Sequence, residues 1–414
     1  MSDVRPFAAL RPKAEFAAKV AALPYDVMSS DEAREMVVGN PYSFLHVTKA
    51  EIDLDPKLNQ YDDLVYETAA KNLAALEKDG VLARDPKPCY YIYAQTMDGR
   101  TQTGIAAVAS VEEYLTDRIK KHELTREEKE IDRIRHVTAT NANTGPVFLT
   151  HKPCLKISAF IKSWTAAHKP LFSFTPDDGV THTAWIVDEE AAISDLRSYF
   201  AALDVLYIAD GHHRNASAAK VALKKRAENP AAPADAAFNY YLSVIFSSDE
   251  LHIMDYNRVV KTLNGHSPES FIEAIKAQFD VAKAAAPGPV RPKARHSFGM
   301  YLDKTWYTLT AKGSIIDTKD PVAALDVSIL QKHLLAPILG IADPRTSPDI
   351  DFVGGLRGLQ ALADHVDKDG GVAFSMFPTS MEELMKISDA GQIMPPKSTW
   401  FEPKLRSGLF IHTF

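Results

Sequence analysis

The sequence predicts a mixed α/β fold of the α+β kind, and three observations carry that expectation. Short β-rich runs alternate with amphipathic helical stretches along the chain. Two pairs of such runs are joined by tight turns, Asp98-Gly99 and Asp303-Lys304. One apolar run, residues 205–209, passes through a glycine turn directly into a helix. The 414 residues allow two or three domains, and 46% apolar with 24% charged residues is ordinary for a globular chain, which excludes wholesale disorder and a fibrous protein. No apolar run approaches the ~20 residues a membrane-spanning helix needs. The opening Met1-Ser2-Asp3-Val4-Arg5-Pro6 has no apolar signal core, and Cys89 and Cys154 are isolated, so a reducing cytoplasm is expected. The 54 acidic residues against 47 basic ones give a charge of -7, which argues against DNA as the main partner.

Taken in order, the first clear helix starts at a capping box, Ser29 with Glu32, and stops at Gly39-Asn40-Pro41. A longer helix is expected over 60–79, closed by Gly80. Residues 89–97 and 100–111 read as a hairpin about Asp98-Gly99. Thr125 with Glu128 reads as a second capping box, opening a charged helix whose apolar face is Ile131, Ile134 and Val137. The strand at 205–209 leads into a helix through about residue 226, and 239–247 reads as a strand. Residues 284–293, with Pro287, Gly288, Pro289 and Pro292, read as a loop, which sets the expected division at 1–283 and 284–414. Beyond the hairpin at 298–310 the C-terminal part is expected to be mainly helical, with a helix capped by Ser380 and Glu383 and ended by Gly391.

The segment richest in chemistry is Asp210-Gly211-His212-His213-Arg214, between the strand and its helix. It reads as an anion site. Free N–H groups at the helix start, the helix dipole and the Arg214 guanidinium all favour one negative group, and Gly211 lets backbone approach a phosphate. Asp210 is either an N-cap or a functional carboxylate. Adjacent histidines rarely converge on one metal ion without further ligands, so no side-chain metal site is read here.

The Gly-His-His-Arg turn resembles the phosphate-binding turn of the ParB/sulfiredoxin superfamily, and the longer Asp-Gly-His-His-Arg form is similar to that of its free serine kinases. Further blocks resemble the prokaryotic family called domain of unknown function 1015. They are Arg5-Pro6-Phe7, Pro24-Tyr25-Asp26-Val27, Asn40-Pro41-Tyr42-Ser43-Phe44, His122-Glu123-Leu124-Thr125, Tyr256-Asn257-Arg258-Val259-Val260, Asp351-Phe352-Val353-Gly354-Gly355 and Pro395 to Phe401, almost end to end. The resemblance implies a ParB/sulfiredoxin-like β core with helical elaborations. It also implies phosphoryl transfer from ATP, ADP or pyrophosphate, with Mg²⁺, to free L-serine. His212 stands where sulfiredoxins carry their reactive cysteine, so that chemistry is not available, and no helix-turn-helix or basic tract supports DNA binding.

Gly211, His212, His213 and Arg214 are therefore the expected phosphate cradle, with Asp210, Glu123 and His122 as candidate catalytic groups. His122 and Glu123 lie on a loop after a β-rich segment, where functional side chains concentrate. Glu127 to Glu130 read as a solvated charged face, and Arg133 and Arg135 either reach a phosphate or pair with the helix's own acids, the second being preferred. Three residues are candidates for the small-molecule substrate. Asp26 sits in Pro24-Tyr25-Asp26, which is either only a turn ahead of a capped helix or, by the resemblance, part of the N-terminal loop that superfamily members often bring over the ligand. Arg258 follows a strand and is either a carboxylate fork or a surface ion pair. Lys397, beside Trp400, belongs either to a lid or to a packed terminus. Mg²⁺ is expected to be held by phosphate oxygens and water. No Walker loop or protein-kinase signature is present. A phosphate- or nucleotide-binding regulatory protein without turnover is the alternative reading, and the oligomeric state is left open.

Overall fold

A computed structural model describes residues 2–414, which fall into two compact units. One runs as far as Leu251 and includes Pro403–Phe414; the other is His252–Glu402. The expected division at 283/284 therefore does not hold. The proline-rich loop lies inside the second unit, between two of its strands. Among the described residues no helix is long and apolar enough to cross a membrane.

The first unit is built on a nine-stranded mixed sheet. Its strands are β1 (Val4–Arg5), β2 (Tyr90–Met97), β3 (Arg100–Ser110), β4 (Ile119–Lys120), β5 (Val147–His151), β6 (Phe172–Phe174), β7 (Thr181–Val187), β8 (Leu206–Asp210) and β9 (Tyr240–Ser247). The order is β4-β8-β5-β9-β3-β2-β7-β6, with β1 also on β3. Only β4/β8 and β5/β9 pair in parallel. This is not the doubly wound parallel arrangement of dinucleotide-binding proteins. The β2/β3 hairpin turns at Asp98 and Gly99, both at positive φ, as the Asp-Gly pair requires.

Six helices of this unit matter below: α1 (Ser30–Met36), α2 (Asp63–Lys78), α3 (Glu127–Thr140), α4 (Leu155–Ala167), α5 (Glu190–Ala201) and α6 (His212–Glu228). The apolar sides of α4, α5 and α6 (Trp164, Leu196, Phe200 and Ala219 among them) join Ile92, Ile105, Leu149 and Ile208 of the sheet in one core cluster. Side chains alternate across a strand, so Tyr91 and Tyr93 face the other way. There Phe410, on the returning C-terminal segment, packs on both rings, at 5.0 and 5.9 Å between centroids. Hydrogen bonds from Gln95 Nε2 to the Lys404 carbonyl and from Arg406 Nε to His182 Nε2 fix the same segment.

The capping box at Ser29 forms as expected, with both of its hydrogen bonds. The one at Thr125 does not. The helix starts at Glu127, and Thr125 Oγ1 donates to Glu130 Oε2 at 2.7 Å. The inward face of α3 is also not the expected apolar one. Ile131 is 49% exposed, whereas Glu130, Asp132, Arg133 and His136 are buried beside Val137. Neighbouring helices supply polar partners that make this affordable. Tyr66 Oη on α2 donates to Asp132 Oδ1 at 2.9 Å, and Lys220 on α6 pairs with Glu130.

The second unit carries a six-stranded antiparallel sheet; beyond the hairpin helices predominate as expected, but two strands of the sheet, at 350–354 and 372–375, were not expected there. Its strands are β10 (Tyr256–Val260), β11 (Phe279–Lys283), β12 (Ser297–Leu302), β13 (Thr305–Ala311), β14 (Ile350–Gly354) and β15 (Val372–Ser375), in the order β11-β13-β12-β15-β10-β14. Residues 350–354 and 372–375 are short and flanked by glycine, so sequence periodicity had little length to register. The helix at Met381–Asp389 has the expected capping box at Ser380.

Candidate phosphate site and its neighbouring cavities

The strand–turn–helix unit read from the sequence is present: β8 ends at Asp210 and α6 begins at His212. Gly211 lies at φ 88° and ψ 33°, a left-handed conformation that glycine adopts readily, and no side chain caps the helix start. A register shift between Ile208 and Asp210 against β5 marks a bulge, which re-aims Asp210 out of the ladder.

Asp210 is not an N-cap. Its Oδ1 accepts the Gly211 N–H at 2.7 Å and its Oδ2 accepts Lys404 Nζ at 3.1 Å. Burial opposes ionisation, but Lys404 and then Arg214 outweigh it and hold the carboxyl well below the usual aspartate range. Such a carboxylate stays charged and is a weak proton acceptor. Lys404 was not among the sequence candidates. It is distant in the chain from Asp210, and no local pattern points from one to the other.

Arg214 lies across Gly211. A Cβ built on Gly211 would stand 3.1 Å from the guanidinium Cζ and Nε, so the glycine makes room for the arginine as well as for the turn. One guanidinium nitrogen donates to the Pro146 carbonyl, and the buried Nε makes no hydrogen bond.

The histidines divide by environment. His122 and His212 are buried, with their rings edge to face at 4.5 Å between centroids. Burial pushes His122 down to about 4, against the pull of Asp210. Burial and then His122 keep His212 well below its ordinary value. Both are neutral at pH 7. His212 Nδ1 stands 3.8 Å from Glu123 Oε2, and Glu123 is 45% exposed. His213 is partly exposed. Its Nε2 accepts the Arg126 N–H at 3.0 Å, and burial followed by the opposing field of Asp26 sets its lowered pKa. Asp26 is thus close enough to act on His213 through its charge, and its side chain is exposed.

One cavity reaches the turn at Arg214, and a second shares part of its lining. The first, of about 30 Å³, is lined by Arg214, Tyr25, Arg133 and Gly145 among others. The larger, of about 620 Å³, takes in Asp26, Arg34, Lys49, Lys129 and Asp132. Tyr25, Thr48, Arg133 and His136 line both. Of the five turn residues, only Arg214 lines either one. The Arg133 guanidinium stacks 3.8 Å above the Tyr25 ring and bonds Asp132, in keeping with the sequence reading that it binds an acid of its own helix. Arg135 instead pairs with Asp63, at the start of α2. Glu130 departs from the solvated-face reading: it is buried, and Lys220 and Thr125 outweigh its burial to keep it ionised.

Arg258 and Lys397 belong to the second unit. Arg258 lies on β10 and not after a strand. It is buried beside Phe352, donates to the carbonyls of Tyr256 and Lys397, and is pushed down to about 10 by that burial. It makes neither a carboxylate fork nor a surface ion pair among the described residues. Lys397 lies 5.6 Å above the Tyr256 ring, and Trp400 packs edge-on to the same ring.

Mg²⁺, implied by the resemblance, asks for a near-octahedral shell of oxygens. The turn offers one carboxylate, Asp210, already engaged by Lys404 and Gly211 N–H, beside imidazole nitrogens. These side chains do not make a Mg²⁺ site by themselves.

Comparison with solved structures finds a free serine kinase variant in complex with AMP, at 14% identity over 74% of this chain and 92% of that one, with a TM-score of 0.36. A conserved hypothetical protein from Pyrococcus furiosus is 15% identical over 74% and 94%, with a TM-score of 0.36. C-terminally truncated SbnI from Staphylococcus aureus is 10% identical over 74% and 87%, again at 0.36. No curated protein matches in sequence. The family described as "Protein of unknown function (DUF1015)" matches residues 4–328, most of the chain, and the protein belongs to that family.

Proposed function

We propose that the protein is a phosphotransferase of the ParB/sulfiredoxin-like type, working outside the P-loop and protein-kinase folds. It would move a phosphoryl group from ATP, ADP or pyrophosphate to a small hydroxyl compound. The acceptor that the sequence resemblance favours is free L-serine, giving O-phosphoserine. The observation that carries the reading is the turn itself. A left-handed glycine, an uncapped helix N-terminus and an arginine laid across the glycine converge on one point, the requirements of a phosphate cradle. A polar cavity of about 620 Å³ nearby is of ligand size.

Phosphoryl transfer depends mainly on positioning and charge. Asp210, held ionised, suits orienting a hydroxyl better than removing its proton. Glu123 and Asp26 are the more exposed carboxylates near the turn. The clamped state of Asp210 also favours a second reading, a nucleotide-binding protein without turnover. The test incubates purified protein with Mg²⁺, L-serine and each donor and follows phosphoserine by mass spectrometry. Product that Asp210→Asn or Glu123→Gln reduces by roughly 10²-fold supports transfer. Donor binding with no product from serine or other small hydroxyl compounds would establish the second reading.

A further inference from the structure

We propose that His122, Glu123 and His212 bind one divalent transition-metal ion of the Zn²⁺ class. The topology brings them together. β4 and β8 pair in parallel, with Leu206 opposite Ile119 and Tyr207 opposite Lys120, so both strands leave the sheet at the same end. The loop after β4 carries His122 and Glu123, and the turn after β8 carries His212. One donor atom from each of the three residues lies within 4.8 Å of the others.

A second observation points to a ligand. His122 is 2% exposed, and neither of its ring nitrogens makes a hydrogen bond of good geometry, the backbone of Ile208 giving it only a weak contact. A buried imidazole almost always has a partner, and an ion between the two rings would supply it. His212 is nearly as buried, and its contact from the His122 N–H is long, at 3.5 Å, so little is lost if that ring turns. Four-coordinate Zn²⁺ at about 2.0–2.1 Å from its ligands brings donor atoms to roughly 3.4 Å apart, so the set must close by up to about 1.5 Å. Rotation of the half-exposed Glu123 side chain and of the two rings supplies such a movement.

The donor chemistry selects the ion. Two imidazoles and a carboxylate suit Zn²⁺, Co²⁺ or Mn²⁺ and not Mg²⁺, which prefers oxygen throughout. Three protein ligands leave a coordination position open, the arrangement of catalytic and not structural zinc sites. The ion would lie beside the Asp210–Arg214 turn, where an open position can take a phosphate oxygen. Only this last step rests on the phosphotransferase reading.

The full-length protein, stripped with a chelator, is titrated with Co²⁺ and then Zn²⁺ in the absence of any phosphate compound. The expected result is one ion per chain, with visible Co²⁺ bands of low coordination number that Zn²⁺ abolishes and Mg²⁺ does not. Glu123→Gln and His122→Phe each weaken binding by roughly 10²-fold, since losses of second-shell partners alone reach 10–100-fold. Absence of stoichiometric uptake by the wild-type chain, or uptake unchanged in Glu123→Gln, overturns the proposal. Glu123 is half exposed, so its variant decides the matter even if His122→Phe fails to fold. Pyrophosphate binding to the metal-free protein reads the phosphate cradle separately, so the two ideas fail independently.

Discussion

Replacing Lys404 by methionine tests how the site is held. Lys404 Nζ stands 3.1 Å from Asp210 Oδ2, and the two side chains are 12% and 32% exposed. At an effective dielectric constant of 20, two charges at that separation attract by about 5 kcal/mol. Desolvation of both groups cancels much of this, and the net worth of a partly buried charged hydrogen bond is about 1–3 kcal/mol. Methionine keeps the apolar stem and removes the charge. A loss of that size lowers the melting temperature by roughly 3–8 °C for a unit of this length. The pH dependence is diagnostic. The folded Asp210 carboxyl is depressed, so its contribution is complete above the unfolded aspartate value of about 3.9 and is lost as pH falls toward the lower folded value. The gap between wild type and Lys404→Met is therefore constant from pH 7 to about 5 and narrows below about 4. Calorimetric melts across pH 3–7 check this. A gap of zero at pH 7, or one equally wide at pH 3, would refute the argument that Lys404 acts through the Asp210 charge.

Three further outcomes are expected. His136, buried and held at about 4 by burial while its Nε2 donates to the Val47 carbonyl, binds its proton more readily in the unfolded chain. Stability attributable to it therefore falls by about 2 kcal/mol between pH 7 and pH 5, and urea unfolding of His136→Gln should show a pH dependence shallower by about that amount. Gly211→Ala places a Cβ 3.1 Å from the Arg214 guanidinium at a left-handed φ. It should lose about 1–2 kcal/mol of stability and also displace Arg214; pyrophosphate affinity measured by calorimetry should fall with it, and unchanged affinity would show that the arginine's position does not matter. Arg214→Lys keeps the charge and loses the planar fork, so donor affinity should drop nearly as far as in Arg214→Ala. Full affinity in the lysine variant would mean that the fork is not used.

Local chemistry was legible in the sequence wherever one short segment sufficed. The capping boxes at Ser29 and Ser380, the Asp98-Gly99 and Asp303-Lys304 turns and the strand–Gly211–helix unit each depend on backbone preferences within a few residues, and each formed as expected. At Thr125 the same logic failed because a tertiary competitor won. Glu130, five residues on, took the Thr125 hydroxyl, and His213 took the Arg126 N–H.

The buried polar face of α3 was illegible for a related reason. Hydrophobic periodicity assumes that apolar residues point inward, and here α2 and α6 supply Tyr66 and Lys220 to satisfy Asp132 and Glu130 inside. The sequence by itself determined the glycine turn and the residue types around it, because a glycine, a helix start and an arginine three positions on act within one turn of chain. Only the tertiary structure decided what surrounds that turn. The parallel pairing of β4 with β8 sets His122 and Glu123 against His212, and the return of the C-terminal segment across the sheet delivers Lys404 to Asp210. Contacts between residues some 90 and 194 positions apart are fixed by sheet order and packing, which leave no periodic trace in the sequence.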